Sequence, residues 1–306
     1  MHDVIIIGGG PAGLTAGLYS SRGKLKSLLI EQGLIGGLVT TTEWVENYPG
    51  FEEGILGSEL ARKMEKQATR FGLEIINGSV TGVSIDGKTK RVVVDGDRQY
   101  DTRALILATG AHPRKLKIPG EDEFRGKGVS YCATCDGAFF KGENIAVVGG
   151  GDSAVQEGIF LTKFAKQVYI IHRRDKLRAE KILQERAFAN RQIEFVWDTV
   201  SEKITGDDKG VTAIQLRNSK DDRRSVLDVQ GVFIYVGYNP NTEFLAGLAN
   251  LDTDNYIVTD SNMSTSAPGV FAAGDVRSKP SKQIATAVGD AATAAIAAEK
   301  YIEENF

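Results

Sequence analysis

The chain has 306 residues, 42% of them hydrophobic and 25% charged, with a formal net charge of −3. That length gives room for two domains, each with its own core. The mild acidity argues against a nucleic-acid-binding face, and no apolar run is long enough to span a bilayer.

Val4-Ile5-Ile6-Ile7 is a continuous apolar run, the pattern of a parallel strand buried on both faces. No leader precedes it, so a soluble, cytoplasmic protein is expected. Gly8-Gly9-Gly10-Pro11-Ala12-Gly13 follows and opens a helix expected to run to about Ser21. This is G-x-G-x-x-G in its required setting of strand, turn and helix. Gly8 allows the tight turn, Gly10 lets a pyrophosphate near the backbone, and Gly13 lets helix and strand pack closely. The helix N-terminus offers its N–H groups to phosphate. A second strand, Ser27-Leu28-Leu29-Ile30, ends at Glu31, placed to bind a ribose hydroxyl.

Residues 33–51 read as a long loop beside this nucleotide site, with Gly36-Gly37 and a run from Trp44 to Phe51. Residues 59–71 read as a helix. Short strands are expected at 75–76, 80–85, 91–94 and 104–108. The last ends in Ala108-Thr109-Gly110, small residues that admit a flat ligand. Pro113, Pro119 and Gly120 then mark a linker.

Cys132 and Cys135 are the only cysteines, with two residues between them. Such a pair can close a small disulfide ring, and a thiolate in it commonly has a lowered pKa. Incidental buried thiols are the plain alternative. Zinc would need four N or S ligands, and His2, His112 and His172 show no ligand spacing to the pair, so no metal is expected. The pair reads as a redox-active disulfide.

Past the cysteines the opening pattern repeats. Ile145-Ala146-Val147-Val148 is a strand, and Gly149-Gly150-Gly151-Asp152-Ser153-Ala154 opens a helix, with Ala154 in the third-glycine place. The next strand, residues 167–171, ends at His172. Gly149 stands as far from His172 as Gly8 stands from Glu31. His172, Arg173, Arg174 and Arg178 thus replace the ribose-binding acid with a cationic cluster, as a 2′-phosphate demands. The first module suits an unphosphorylated ribose and the second suits NADP. Further strands are expected near 194–196, 211–217 and 226–236, with a surface hairpin turn at 218–224. Residues 237–241 form a second break. A strand at 270–273 leads to Gly274-Asp275, whose carboxylate can accept from ligand hydroxyls, and 283–304 is an alanine-rich helix.

In this order the motifs resemble the low-molecular-weight thioredoxin reductase family across essentially the whole chain. The resemblance rests on the first glycine loop, Glu31, Val45-Glu46-Asn47-Tyr48-Pro49-Gly50, Ala108-Thr109-Gly110, Cys132-Ala133-Thr134-Cys135-Asp136-Gly137, the second glycine loop, His172 to Arg178 and Gly274-Asp275. It implies an α/β fold with two Rossmann-like dinucleotide-binding domains on central parallel sheets, the second inserted into the first. Residues 1–114 and 242–306 would bind FAD, and 115–241 would bind NADPH and carry the redox pair. Two linkers would let the inserted domain rotate.

For FAD the resemblance implies Gly8, Gly10, Pro11, Ala12, Gly13, Glu31 and Gln32, then Gly37, Leu38, Asn47 and Val80. It adds Ala108, Thr109, Gly110, Gly274, Asp275, Lys282, Gln283 and Ile284. For NADPH it implies Gly149, Gly150, Gly151, Asp152, Ser153, Ala154, His172, Arg173, Arg174 and Arg178. Cys135 would face the flavin, Cys132 would attack the thioredoxin disulfide, and Asp136 would shuttle protons. A homodimer is implied, with thioredoxin as protein partner.

Four positions depart from the family pattern. Leu38 stands where Gln is usual, Lys282-Gln283-Ile284 stands where Arg-Gln-Ala is usual, and Asp152 stands where Asn is usual. Lys lacks the bidentate geometry of Arg, and Asp152 brings negative charge toward a pyrophosphate. Other readings keep the architecture: ferredoxin as electron donor, or a glutaredoxin-like or peroxiredoxin-system protein as acceptor. A flavin-dependent NADPH oxidase or ferredoxin–NADP reductase would not require the cysteines. A non-enzymatic nucleotide sensor would not require two distinct nucleotide modules beside a reducible disulfide.

Overall fold

In the computed structural model, which describes residues 1–306, Val4 and Ile6 pack into one buried layer while Ile5 and Ile7 pack into another. Successive strand residues point to opposite faces, so an unbroken apolar run belongs to a strand covered on both sides. The chain forms two compact units, Met1–His112 with Asn239–Phe306, and Pro113–Tyr238. No helix is long and apolar enough to cross a membrane.

The first unit is built on a seven-stranded sheet. Its parallel part runs in the order Glu74–Asn77, Ser27–Glu31, His2–Ile7, Arg98–Leu107 and Val270–Ala272. This is the strand order of a doubly wound sheet, with ligands expected at the carboxyl ends of the strands. The long strand Arg98–Leu107 has a divided role. Its second half is buried and parallel, while its first half pairs antiparallel with Thr89–Val94, which pairs in turn with Val80–Asp86.

Helices Pro11–Arg22 and Ile284–Asn305 cover one face of this sheet. Ala287, Ala291, Ala294, Ala295 and Ala298 are buried at helical spacing, which brings the last helix close to its neighbours. A third helix, Gly57–Thr69, adds Ala68 to the same cluster. The expected long loop contains structure of its own. A 3₁₀ turn, Gly37–Thr41, is followed by a short antiparallel pair, Trp44–Val45 with Ile55–Leu56.

The second unit holds a five-stranded parallel sheet. Its order is Val129–Ser130, Gly231–Tyr235, Asn144–Gly149, Gln167–Ile171 and Ile193–Val196. A three-stranded antiparallel sheet, Thr199–Asp207, Gly210–Asn218 and Arg224–Asp228, packs with it through Ile204, Ile214 and Leu216. The run expected as one strand at 226–236 is therefore two strands in different sheets, separated at Val229 and Gln230.

Where the chain passes from one compact unit to the other, Ala111–Pro113 and Tyr238–Pro240 pair as a two-stranded ribbon. Within the second unit, the Arg114 N–H donates to Gly237 O at 2.8 Å; within the first, the Asn241 N–H donates to Gly110 O at 3.0 Å.

Candidate functional site

The cysteine pair leaves the carboxyl end of the edge strand Val129–Ser130 and enters a short helix, Ala133–Asp136. The Cys132 and Cys135 sulfurs are bonded, with Cα atoms 5.4 Å apart. Cys135 is exposed and Cys132 half-buried. Cys132 caps the helix, and its Sγ accepts the Cys135 N–H at 3.2 Å. Behind the turn, Tyr235 Oη accepts the Ala133 N–H at 2.9 Å. Burial drives the Tyr235 phenol far above its ordinary range, so it stays neutral. Asp136 Oδ2 accepts from Ser130 Oγ at 2.6 Å. A groove of about 560 Å³ runs past Asp136 and Phe140 to Phe139, whose side chain is 80% exposed.

The second glycine loop leaves the carboxyl end of Asn144–Gly149 in the same parallel sheet. Gly151 has open space where a Cβ would stand, and Ala154 is buried under the loop. Arg178 donates its backbone N–H to Gly150 O at 2.7 Å. The Arg173, Arg174 and Arg178 side chains are exposed. His172, expected in the same cationic cluster, is only 5% exposed. It meets Trp197 edge-on and lies against Gly150, and its Nε2 has no hydrogen-bond partner. Burial, with the three arginines, pushes its pKa down. The cluster's positive charge is therefore arginine alone, and His172 is a neutral packing group beneath the loop. Asp152 Oδ1 accepts the Glu180 N–H at 2.8 Å, which engages its charge at the start of helix Lys181–Ala189. Ser153 is half-buried in the first turn after the loop.

In the first unit, four loops converge at the carboxyl ends of the parallel strands. A Cβ on Gly8 would lie 2.3 Å from Ala108 O, and one on Gly13 would lie 1.7 Å from Gly8 O. Gly10 by contrast has nothing within 4 Å, and Gly37 approaches it from the neighbouring loop. Pro11 begins the helix, and Ala12 lies beneath Gly274. Glu31 accepts the Gly9 N–H at 2.6 Å and the Gly33 N–H at 2.7 Å, so its carboxylate braces both loops. Gln32 Oε1 accepts from Ser79 Oγ at 3.4 Å, beside Val80 at the start of its strand.

Thr109 and Asn241 clasp each other: Thr109 Oγ1 donates to Asn241 O, and Asn241 Nδ2 donates to Thr109 O. Gly110 adopts a left-handed φ of 63°. Asn47 Nδ2 donates to Gln283 Oε1 at 3.2 Å, and Ile284 packs on the small cluster of Val39, Val45, Ile55 and Leu60. Leu38 is 40% exposed on the 3₁₀ turn. Lys282 Nζ stands 3.7 Å from the Tyr256 ring centroid, and burial lowers its pKa.

Asp275 is raised above the usual carboxylate range by burial, and its Oδ1 has no hydrogen-bond donor. Lys279 approaches that oxygen only to 3.8 Å. The turn that presents Asp275 is held by residues with no sequence motif. Asp290 pairs with Arg277 at 2.7 Å and Lys279 at 2.9 Å, and accepts the Gly274 N–H at 3.2 Å. Ser130, Tyr235 and Asp290 were not evident from sequence, because each acts through a partner brought near only by folding.

Two dinucleotide-type glycine loops and a bonded cysteine pair define an oxidoreductase of the nucleotide-dependent disulfide class. The chain belongs to the pyridine nucleotide-disulphide oxidoreductase family, which it matches over residues 2–291. It is 53% identical to a thioredoxin reductase of Listeria innocua over 304 residues, covering 99% of this chain and 95% of that protein. It is 49% identical to that of Bacillus subtilis, covering 99% and 96%. Among solved structures, Lactococcus lactis thioredoxin reductase is similar at a TM-score of 0.97 and 48% identity, covering 99% of this chain and 100% of that one.

Proposed function

We propose that this chain is a thioredoxin-disulfide reductase, moving electrons from NADPH through FAD and the Cys132–Cys135 disulfide to thioredoxin. The observation that carries the reading is within the second unit. The disulfide and a glycine loop backed by Arg173, Arg174 and Arg178 leave the same end of one parallel sheet. The full-length similarity to thioredoxin reductases supports the partner.

The first unit fits FAD. Gly10 leaves a cradle that a Cβ would fill, and the buried Asp275 Oδ1 lacks a donor that a ligand hydroxyl would supply. Residues 8–13 would take the pyrophosphate, Glu31 the ribose, and Asp275 a further hydroxyl. Gln32, Gly37, Leu38, Asn47, Val80, residues 108–110, Gly274 and residues 282–284 would line the rest. When bound, the flavin would accept a hydride from nicotinamide and return two electrons to a disulfide. The second unit would hold NADPH through residues 149–154, with the arginines on the 2′-phosphate and His172 under the loop.

In the reduced enzyme, the Cys132 thiolate attacks one sulfur of the partner disulfide and forms a mixed disulfide. The displaced partner thiolate takes a proton from the Asp136 carboxyl. Cys135 then gives its thiol proton to the Asp136 carboxylate and attacks Cys132 Sγ. The Cys132–Cys135 bond re-forms, and the second partner thiolate takes the proton from Asp136. Two electrons and two protons have passed to the partner. The same reading makes the protein a cytoplasmic homodimer, which light scattering on a sizing column would measure.

Anaerobic titration of the purified protein with NADPH tests the proposal, following flavin absorbance and free thiols together. Bleaching with two new thiols per chain, followed by reoxidation with thioredoxin, is expected. Flavin and disulfide reduced by dithionite but untouched by NADPH would refute it and direct attention to ferredoxin.

A further inference from the structure

Ser130 closes the edge strand two residues before Cys132 and is only 5% exposed. Its Oγ accepts the Cys132 N–H at 3.0 Å and donates to Asp136 Oδ2 at 2.6 Å. The other oxygen in reach, Cys132 O, is farther at 3.2 Å and already accepts the Asp136 N–H. A hydroxyl has one proton to give. The incoming Cys132 N–H and the short contact to Asp136 together aim that proton at Oδ2.

We infer that Ser130 is a positioning residue for proton delivery by Asp136, an inference that rests on the role proposed for Asp136 above. A carboxyl oxygen that accepts the Ser130 proton is not the one that carries the transferable proton. With Oδ2 so engaged, Oδ1 is the oxygen left to carry a transferable proton. Ser130 thus fixes both the rotation of the carboxyl group and the oxygen that donates. It also ties that orientation to the backbone of Cys132, the residue whose mixed disulfide is being resolved. No electron passes through Ser130, and its own proton is not transferred.

The test uses reduced holoenzyme in single-turnover oxidation by two disulfides that differ in leaving group. Hydroxyethyl disulfide releases a basic alkyl thiolate that needs a proton. The aromatic disulfide dithionitrobenzoate releases a weakly basic thiolate that leaves without one. Ser130→Ala is expected to slow oxidation by hydroxyethyl disulfide on the order of 10–100-fold, and to leave the aromatic reaction unchanged. Ser130→Thr, which keeps the hydroxyl, is expected to restore the alkyl rate. Equal slowing with both disulfides, or with neither, would overturn the inference, as would a Thr variant as slow as Ala. Neither probe is thioredoxin, so a wild-type enzyme inert toward thioredoxin would remove the partner assignment while this comparison still decides the role of Ser130.

Discussion

His172 lies so close to Gly150 that a Cβ on the glycine would stand 2.4 Å from His172 Nδ1. The second nucleotide loop is therefore shaped from beneath by a buried ring. Gly150→Ala forces the loop or the ring to move, at about 1–3 kcal/mol for overpacking. Calorimetric titration is expected to show weakened NADPH binding with flavin content unchanged.

Arg173, Arg174 and Arg178 are expected to select NADPH over NADH. Hydrogen bonds to charged groups contribute about 1.5–3 kcal/mol, so Arg173→Ala or Arg174→Ala should raise the NADPH KM roughly 10–100-fold. The NADH KM should barely change. Burial, with the three arginines, holds the His172 pKa below its usual 6.5, so the neutral ring predominates throughout the window from pH 6.5 to 8. The NADPH preference should stay flat across that window, measured as the ratio of kcat/KM values. A preference that fades as pH rises would return His172 to the cationic cluster.

Cys132→Ser and Cys135→Ser should each abolish thioredoxin reduction while NADPH still bleaches the flavin. Stopped-flow absorbance separates the two half-reactions. Asp136→Asn keeps the shape but loses the transferable proton, and should lower turnover roughly 10²–10⁴-fold.

Asp290→Ala tests the hidden support of Asp275. The Asp290, Arg277 and Lys279 side chains are 14%, 11% and 9% exposed, so removal of the acid leaves two buried cations. Breaking a buried pair costs about 3–5 kcal/mol. Urea denaturation should show that loss, and flavin released through an ultrafiltration membrane should show the loosened Gly274–Asp275 turn.

Lys90 gives stability a pH dependence of definite sign. Its side chain is fully buried, and Nζ donates to Lys88 O, Arg103 O and Tyr301 Oη, with no carboxylate partner. Burial lowers its pKa from 10.5 to about 8. Between those values the unfolded chain binds the extra proton, so stability rises with pH there, by about 3 kcal/mol. Below pH 8 both states carry the charge and the full penalty of burying it. Lys90→Met should remove this rise, seen as a smaller difference between urea midpoints at pH 8 and pH 10. An unchanged difference would show that Lys90 does not titrate in the folded protein.

The sequence revealed what local pattern encodes. Both glycine loops were legible because each needs a strand, a turn and a helix within a few tens of residues. The helix expected at 59–71 forms two residues earlier, as Gly57–Thr69. Pattern failed where one stretch serves two surroundings. Arg98–Leu107 begins as a half-exposed antiparallel strand and ends as a buried parallel one, so only the apolar half was recognisable. Strand Thr199–Asp207 went unseen because Val200 and Ile204 are its only large apolar residues, too few to mark a strand by pattern. His172 was read by its position, but its charge is decided by burial, which only packing supplies.

The pairing of Ala111–Pro113 with Tyr238–Pro240 has a consequence for descent and engineering. An inserted segment whose two ends meet asks little of its host, since excising it leaves only a short gap to close. A brief turn from Gly110 to Asn241, already joined by a hydrogen bond, would make the flanking parts a continuous polypeptide. Residues 113–238 form a compact unit with sheets of their own, so these two short seams are where a module of different nucleotide taste would be grafted.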